Sequence, residues 1–167
     1  MKISKKILST VFSGLFLCSC SSQGPGPIDQ IISSSLNINN RPVYLRGEMN
    51  DYEVSETYRL RKSDGGYCTY ATLRTDWSPY KFKFADSDWS EGSNFGFMSG
   101  PGVIREGSLP LKLNPDSKFE EISFYPNSDG VYKFCVIKRN DGYYATVYKS
   151  SKKLLLSMAQ LFKLSKD

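Results

Sequence analysis

Tyr80-Lys81-Phe82-Lys83-Phe84-Ala85-Asp86-Ser87-Asp88-Trp89-Ser90-Glu91-Gly92-Ser93-Asn94-Phe95-Gly96 is the stretch whose reading decides the fold. Its first half alternates. Tyr80, Phe82 and Phe84 fall on one face and Lys81, Lys83 and Ala85 on the other, the two-residue period of a half-buried strand. Its second half cannot continue as a strand, because Asp86, Ser87 and Asp88 are short polar residues that bond their own backbone and favour turns. The turn delivers Trp89, followed by Ser90, Asn94 and Gly96. A large aromatic beside small polar residues, just past a strand end, suits contact with a small molecule. It also suits a plug for the end of the core.

Outward from this stretch the chain reads as short strands separated by turn signals, the pattern of a sandwich or barrel. Strands are expected over 42–46, 57–61, 67–74, 80–85, 109–113, 121–125, 131–138 and 143–149. Turns fall at Gly47–Tyr52, at Ser63-Asp64-Gly65-Gly66, at Asn127-Ser128-Asp129-Gly130 and at the hairpin signal Arg139-Asn140-Asp141-Gly142. Pro110 argues that the 109–113 strand lies at an edge. A long loop is expected from about Ser87 to Gly107; loops of that length are often functional. From Lys152 onward Leu155, Met158, Ala159 and Phe162 recur at helical spacing, which predicts a short amphipathic C-terminal helix within 151–167; Leu154 to Leu156 equally fit a last strand.

The N-terminus carries a targeting signal. Lys2, Lys5 and Lys6 precede the apolar run from Ile7 to Leu17, which is too short to span a bilayer comfortably. The run ends in Leu17-Cys18-Ser19-Cys20, which resembles the lipobox of bacterial lipoproteins. That resemblance implies a signal peptide over 1–19, lipidation of Cys20, and, with Ser21 next, export to the outer membrane. Each buried methylene of an acyl chain contributes about 0.8 kcal/mol, so several chains anchor firmly. Residues 20–40, with Gly24-Pro25-Gly26-Pro27, read as a flexible tether, or else Ile28, Ile31, Ile32 and Leu36 form a short helix or pack along the domain edge, leaving 41–150 as the folded domain. The chain has 22 basic and 17 acidic residues; without Lys2, Lys5 and Lys6 the basic count falls by three to 19, which gives no footprint for nucleic acid. Cys68 and Cys135 remain for the domain. An exported protein meets an oxidising compartment, so they form either a disulfide or two separately buried thiols.

Three pieces recur together: Val43 to Tyr52, the turn Asp64-Gly65-Gly66-Tyr67, and Tyr80 to Ser90 with Asn94-Phe95-Gly96. Together they resemble the early-set, immunoglobulin-like module of pullulanases and are similar to the family 48 starch- and glycogen-binding modules. In those, a Gly-x-x-Asn-x-Trp turn follows the first strand, and a strand rich in aromatics and lysine leads to an Asp-x-x-Trp turn. The resemblance implies an all-β, immunoglobulin-like (early-set) β-sandwich that binds an α-glucan. By position, Trp89 and Tyr52 are the aromatic platforms, Lys81 or Lys83 the strand lysine, and Asn94 the amide partner. Tyr52 stands where the family usually has Trp, which reduces the stacking area.

The residues also bound the chemistry without the family. Pyranose rings present apolar C–H faces that pack on large aromatics, while their hydroxyls need donors and acceptors of the kind Lys81, Lys83, Asp86 and Asn94 carry. The chain has no histidine, which removes the commonest general base and histidine metal ligation. No phosphate-binding glycine loop is present, and Asp86 and Asp88 are better placed to cap a turn than to form a glycosidase pair. The expectation is a non-catalytic lipoprotein without cofactor or metal, binding a glycan. The alternative is an envelope scaffold that contacts another protein and binds no sugar.

Overall fold

The computed structural model describes residues 34–150. The expected signal peptide, Cys20, most of the expected tether and the expected amphipathic segment 151–167 lie outside them. Twelve strands run in chain order: β1 (Asn37–Ile38), β2 (Arg41–Pro42), β3 (Tyr44–Gly47), β4 (Arg61–Ser63), β5 (Gly66–Leu73), β6 (Tyr80–Ala85), β7 (Asn94–Phe97), β8 (Val103–Arg105), β9 (Leu111–Asn114), β10 (Ile122–Tyr125), β11 (Gly130–Arg139) and β12 (Gly142–Lys149), a count that covers the described residues.

These strands make an all-β sandwich. One layer runs β4-β5-β11-β12-β9; the other holds β3, β6, β10 and β8. β7 joins them, pairing β6 through Phe84↔Phe95 and β9 through Phe97↔Leu113. The layers meet through aromatics. Phe82 of β6 packs edge-on against Phe134 of β11 with centroids 5.1 Å apart, and Phe124 of β10 sits 6.0 Å from Phe134. Edge-to-face contacts of this kind favour one relative placement beyond the burial of area alone. Tyr80, Phe82 and Phe84 are all buried, as their alternation requires.

Several elements depart from their sequence reading. The expected loop from Ser87 to Gly107 contains β7 and β8. Asp86 closes its turn by residue 93, and Asn94 re-enters the sheet at once. The expected 57–61 strand begins as a 3-10 turn over Glu56–Tyr58 whose start is capped by Ser55 Oγ; pairing resumes at Arg59, which bridges Tyr44, and continues through Leu60 into β4. β9 is not an edge: Pro110 lies just outside it, and its neighbours are β12 and β7. Of the two readings of the segment before 41, the described part takes the one in which Leu36 packs along the domain edge. Leu36 is buried, its N–H donates to the Leu60 carbonyl at 2.9 Å, and β1 pairs β2. Cys68 and Cys135 are opposed in register between β5 and β11 and are joined as a disulfide.

Candidate functional site

The outer face of the smaller layer carries the site. Arg46 of β3 and Lys83 of β6 are register partners there, and Asn94 of β7 stands opposite Ala85 on the same face. Two turns bring aromatics to this face. In the first, the Gly47 N–H donates to Asn50 Oδ1 at 2.9 Å, Asn50 Nδ2 donates to the Leu45 carbonyl at 2.9 Å, and the Tyr52 N–H donates to the Gly47 carbonyl at 3.0 Å. The spacing Gly-x-x-Asn-x-Tyr thus closes a loop that ends on Tyr52. In the second, the Asp86 carboxylate accepts from the Asp88 and Ser90 N–H groups and from Ser93 Oγ. Arg41 bonds Asp86 and Ser90 from outside. Burial alone would raise the Asp86 carboxyl, but the donors from Ser90, Ser93 and Asp88 outweigh it and hold the group at about 2.

Each turn places its aromatic in a left-handed backbone conformation, Tyr52 at φ 58° and Trp89 at φ 56°. For a bulky side chain this costs on the order of 1–3 kcal/mol, and such strain collects where a residue is held for a purpose. The rings lie 6.4 Å apart at 48°, and both are half-buried. Arg46 ties the two turns. Its Nε donates to the Tyr52 carbonyl at 2.8 Å, its Nη1 to the Asp86 and Ser87 carbonyls at 3.0 and 3.1 Å, and its guanidinium lies 3.8 Å from the Trp89 ring centroid. Burial lowers the Arg46 pKa, opposed by Asp86 and Asp88. The Tyr52 hydroxyl donates to Glu121 Oε1; burial and this carboxylate together raise its pKa well above the usual phenol value.

The far wall is the turn between β9 and β10. Lys83, 3% exposed, donates from Nζ to the Ser117 carbonyl at 3.1 Å. Burial pushes its ammonium down, opposed by Glu120 and Glu121. Glu120 Oε2 accepts from Ser117 Oγ and from the Lys118 and Phe119 N–H groups, and these bonds hold its pKa at about 2. The turn presses against Gly96, where an added Cβ would come within 2.0 Å of the Glu120 carbonyl oxygen. At its tip Phe119 is 89% exposed.

Two depressions adjoin at Trp89. One, of ≈ 300 Å³, is lined by Tyr52, Lys83, Phe119 and Glu121; the other, of ≈ 290 Å³, by Glu91, Asp116 and Ser117. Trp89, Asn94 and Lys118 line both. Asn94 is 8% exposed, and its Oδ1 has no hydrogen-bond partner among the described residues.

Of the residues singled out from sequence, Trp89, Tyr52, Lys83 and Asn94 come together here. Lys81 does not: its side chain is exposed and lines neither depression, while its N–H donates to Glu48. Arg46, Lys118, Phe119 and Glu121 were not singled out. Arg46 reads as an ordinary strand residue, and the 117–121 turn is brought in only by strand pairing. Among the described residues no group of three or more His, Cys, Asp or Glu is placed to hold a metal ion.

No protein-family model matches this chain, and no curated protein matches it. A solved structure titled "Ligand induced structure of AmyP-SBD" is similar over 85% of this chain and 97% of that chain, with 14% identity and a TM-score of 0.46, a likeness too distant to decide topology or ligand.

Proposed function

We propose that this chain is a non-catalytic module that binds carbohydrate, an α-glucan, at Trp89 and Tyr52, and that a lipid on Cys20 anchors it to the outer membrane of a bacterial cell. The observation that carries the binding reading is the pair of half-buried rings, held 6.4 Å apart by two backbone conformations that bulky residues rarely adopt. Sugar C–H faces pack on such rings, and the 48° tilt between them follows a curved chain better than a flat one. Hydroxyls meet the Lys118 ammonium and the second oxygen of the Glu121 carboxylate beside the rings, with the unpartnered Asn94 amide next to them. The α-glucan is named on the resemblance of the turns ending in Tyr52 and Trp89, and the anchor on that of Leu17 to Cys20. Lys81 has no part in the reading.

The test is retention of the purified full chain on immobilised glycogen. Wild-type protein is retained and eluted by soluble maltooligosaccharide, and Trp89→Ala flows through. The second reading, a protein-binding envelope scaffold, is favoured by Phe119 and Leu109, which are 89% and 88% exposed. Absence of retention on glycogen, with one envelope protein co-purifying and lost in Phe119→Ala, would establish that reading instead.

A further inference from the structure

Resting on the carbohydrate reading above, we propose that the two depressions at Trp89 are consecutive subsites of one groove. The groove takes an internal stretch of a neutral polysaccharide, with Phe119 overhanging the aromatic subsite and Glu91 and Asp116 accepting hydroxyls in the polar one. Each depression alone, at ≈ 300 and ≈ 290 Å³, lies at the lower limit of about 300–1,000 Å³ typical of ligand sites. They are contiguous, since Trp89, Asn94 and Lys118 line both. A chain crossing Trp89 therefore passes from rings to carboxylates.

The strongest sign of an absent ligand is Asn94. A buried carbonyl oxygen without a partner is costly, and native structures rarely keep one without a reason. Asn94 lines both depressions, and a turn of its side chain would present this covered Oδ1 to a sugar hydroxyl at their junction. Phe119 supplies the second sign. An almost fully exposed phenylalanine on a mobile loop would mean little. This one sits on a turn fixed by the bonds to Glu120 and by the buried Lys83 ammonium. A ring so held is presented to the depression it lines. The charges fit a neutral chain. Lys83 is spent on the Ser117 carbonyl, one oxygen of Glu121 takes the Tyr52 hydroxyl, and in the polar subsite the exposed carboxylates of Glu91 and Asp116 outnumber the Lys118 ammonium, which disfavours a polyanion.

The experiment is calorimetric titration of the full chain with maltose and maltotetraose, repeated for Trp89→Ala, Glu91→Ala, Phe119→Ala and Asn94→Leu. Filling the second subsite should tighten binding of the tetrasaccharide over the disaccharide about tenfold. Glu91→Ala should collapse that ratio, and Phe119→Ala should weaken both sugars. Asn94→Leu should weaken binding without lowering the denaturant midpoint, since it removes an unpaired polar group; a lowered midpoint would show the amide to be structural and overturn its role. Equal affinity for the two sugars, with binding still abolished by Trp89→Ala, would overturn the two-subsite proposal and leave the carbohydrate reading standing. Binding of neither sugar would bring both down.

Discussion

Trp89 is where conformation, packing and function meet. Its ring is half-buried and rests on Arg46, so its removal costs less than the about 3–5 kcal/mol of a fully buried aromatic. Trp89→Ala should lower stability by about 1–2 kcal/mol, most of it the lost guanidinium contact. Because the backbone is left-handed here, Trp89→Gly should be more stable than Trp89→Ala by about 1 kcal/mol. Equilibrium denaturation of both variants checks the order; the reverse order would remove the strain from the account. Asp86 makes the turn pH-sensitive in a defined direction. Its carboxyl is held at about 2, below the ordinary value of 3.8, so the folded state binds its proton more weakly than the unfolded state. Its contribution, about 2 kcal/mol, is therefore complete above the ordinary value and is lost as pH falls through about 2. Denaturant midpoints between about pH 5 and pH 2 should fall less steeply in Asp86→Asn than in wild type. Parallel slopes would show that the charge does not support the turn.

At the scale of elements, the parts legible in sequence are those whose signal is local. β6 was legible to the residue, because alternation from Tyr80 to Ala85 and the turn formers after it set both ends. The β11–β12 hairpin was legible for the same reason. β7 was not. It is four residues long, includes Gly96 and begins with Asn94, so nothing local marks it as the strand that joins the two layers. The same limit hid half of the site. Trp89 and Tyr52 announce themselves at turns, whereas Phe119 reaches them because strand pairing brings its turn to the sheet, where Lys83 and Glu120 hold it. Alternation alone puts Lys81 and Lys83 on one face; which of them a loop covers is a tertiary matter. Replacing Lys83 with methionine removes a costly buried ammonium but leaves the Ser117 carbonyl without its donor, so stability should fall by about 1–3 kcal/mol. Glucan affinity should fall too, because the turn carrying Phe119 is released. A calorimetric titration of Lys83→Met with affinity at the wild-type level would contradict that role. The disulfide between β5 and β11 spans a separation of 67 residues. The chain-entropy model assigns such a loop about 4 kcal/mol, an upper figure where the denatured state keeps structure. Reductant should lower the melting temperature, and a melting curve unchanged by it would place the stability of this layer elsewhere.

As a whole molecule the described chain is a small sandwich with its aromatic site on the outer face of one layer, and the proposal that Cys20 anchors it rests on the resemblance of Leu17 to Cys20 to a lipobox. Cys20→Ala should move the protein out of the membrane fraction or leave it as an unprocessed precursor, and mass spectrometry of the mature N-terminus distinguishes the two. An unacylated mature form beginning elsewhere would end the anchoring proposal. The central claim is that the strained, half-buried rings of Trp89 and Tyr52 exist to hold sugar. Calorimetric titration of maltoheptaose into the full chain, beside Trp89→Gly and Tyr52→Trp, tests it most directly. The account predicts saturable binding by wild type, loss in Trp89→Gly with the fold intact, and tighter binding by Tyr52→Trp, whose larger ring extends the platform. Binding of equal strength in wild type and Trp89→Gly, or none in wild type, would contradict it.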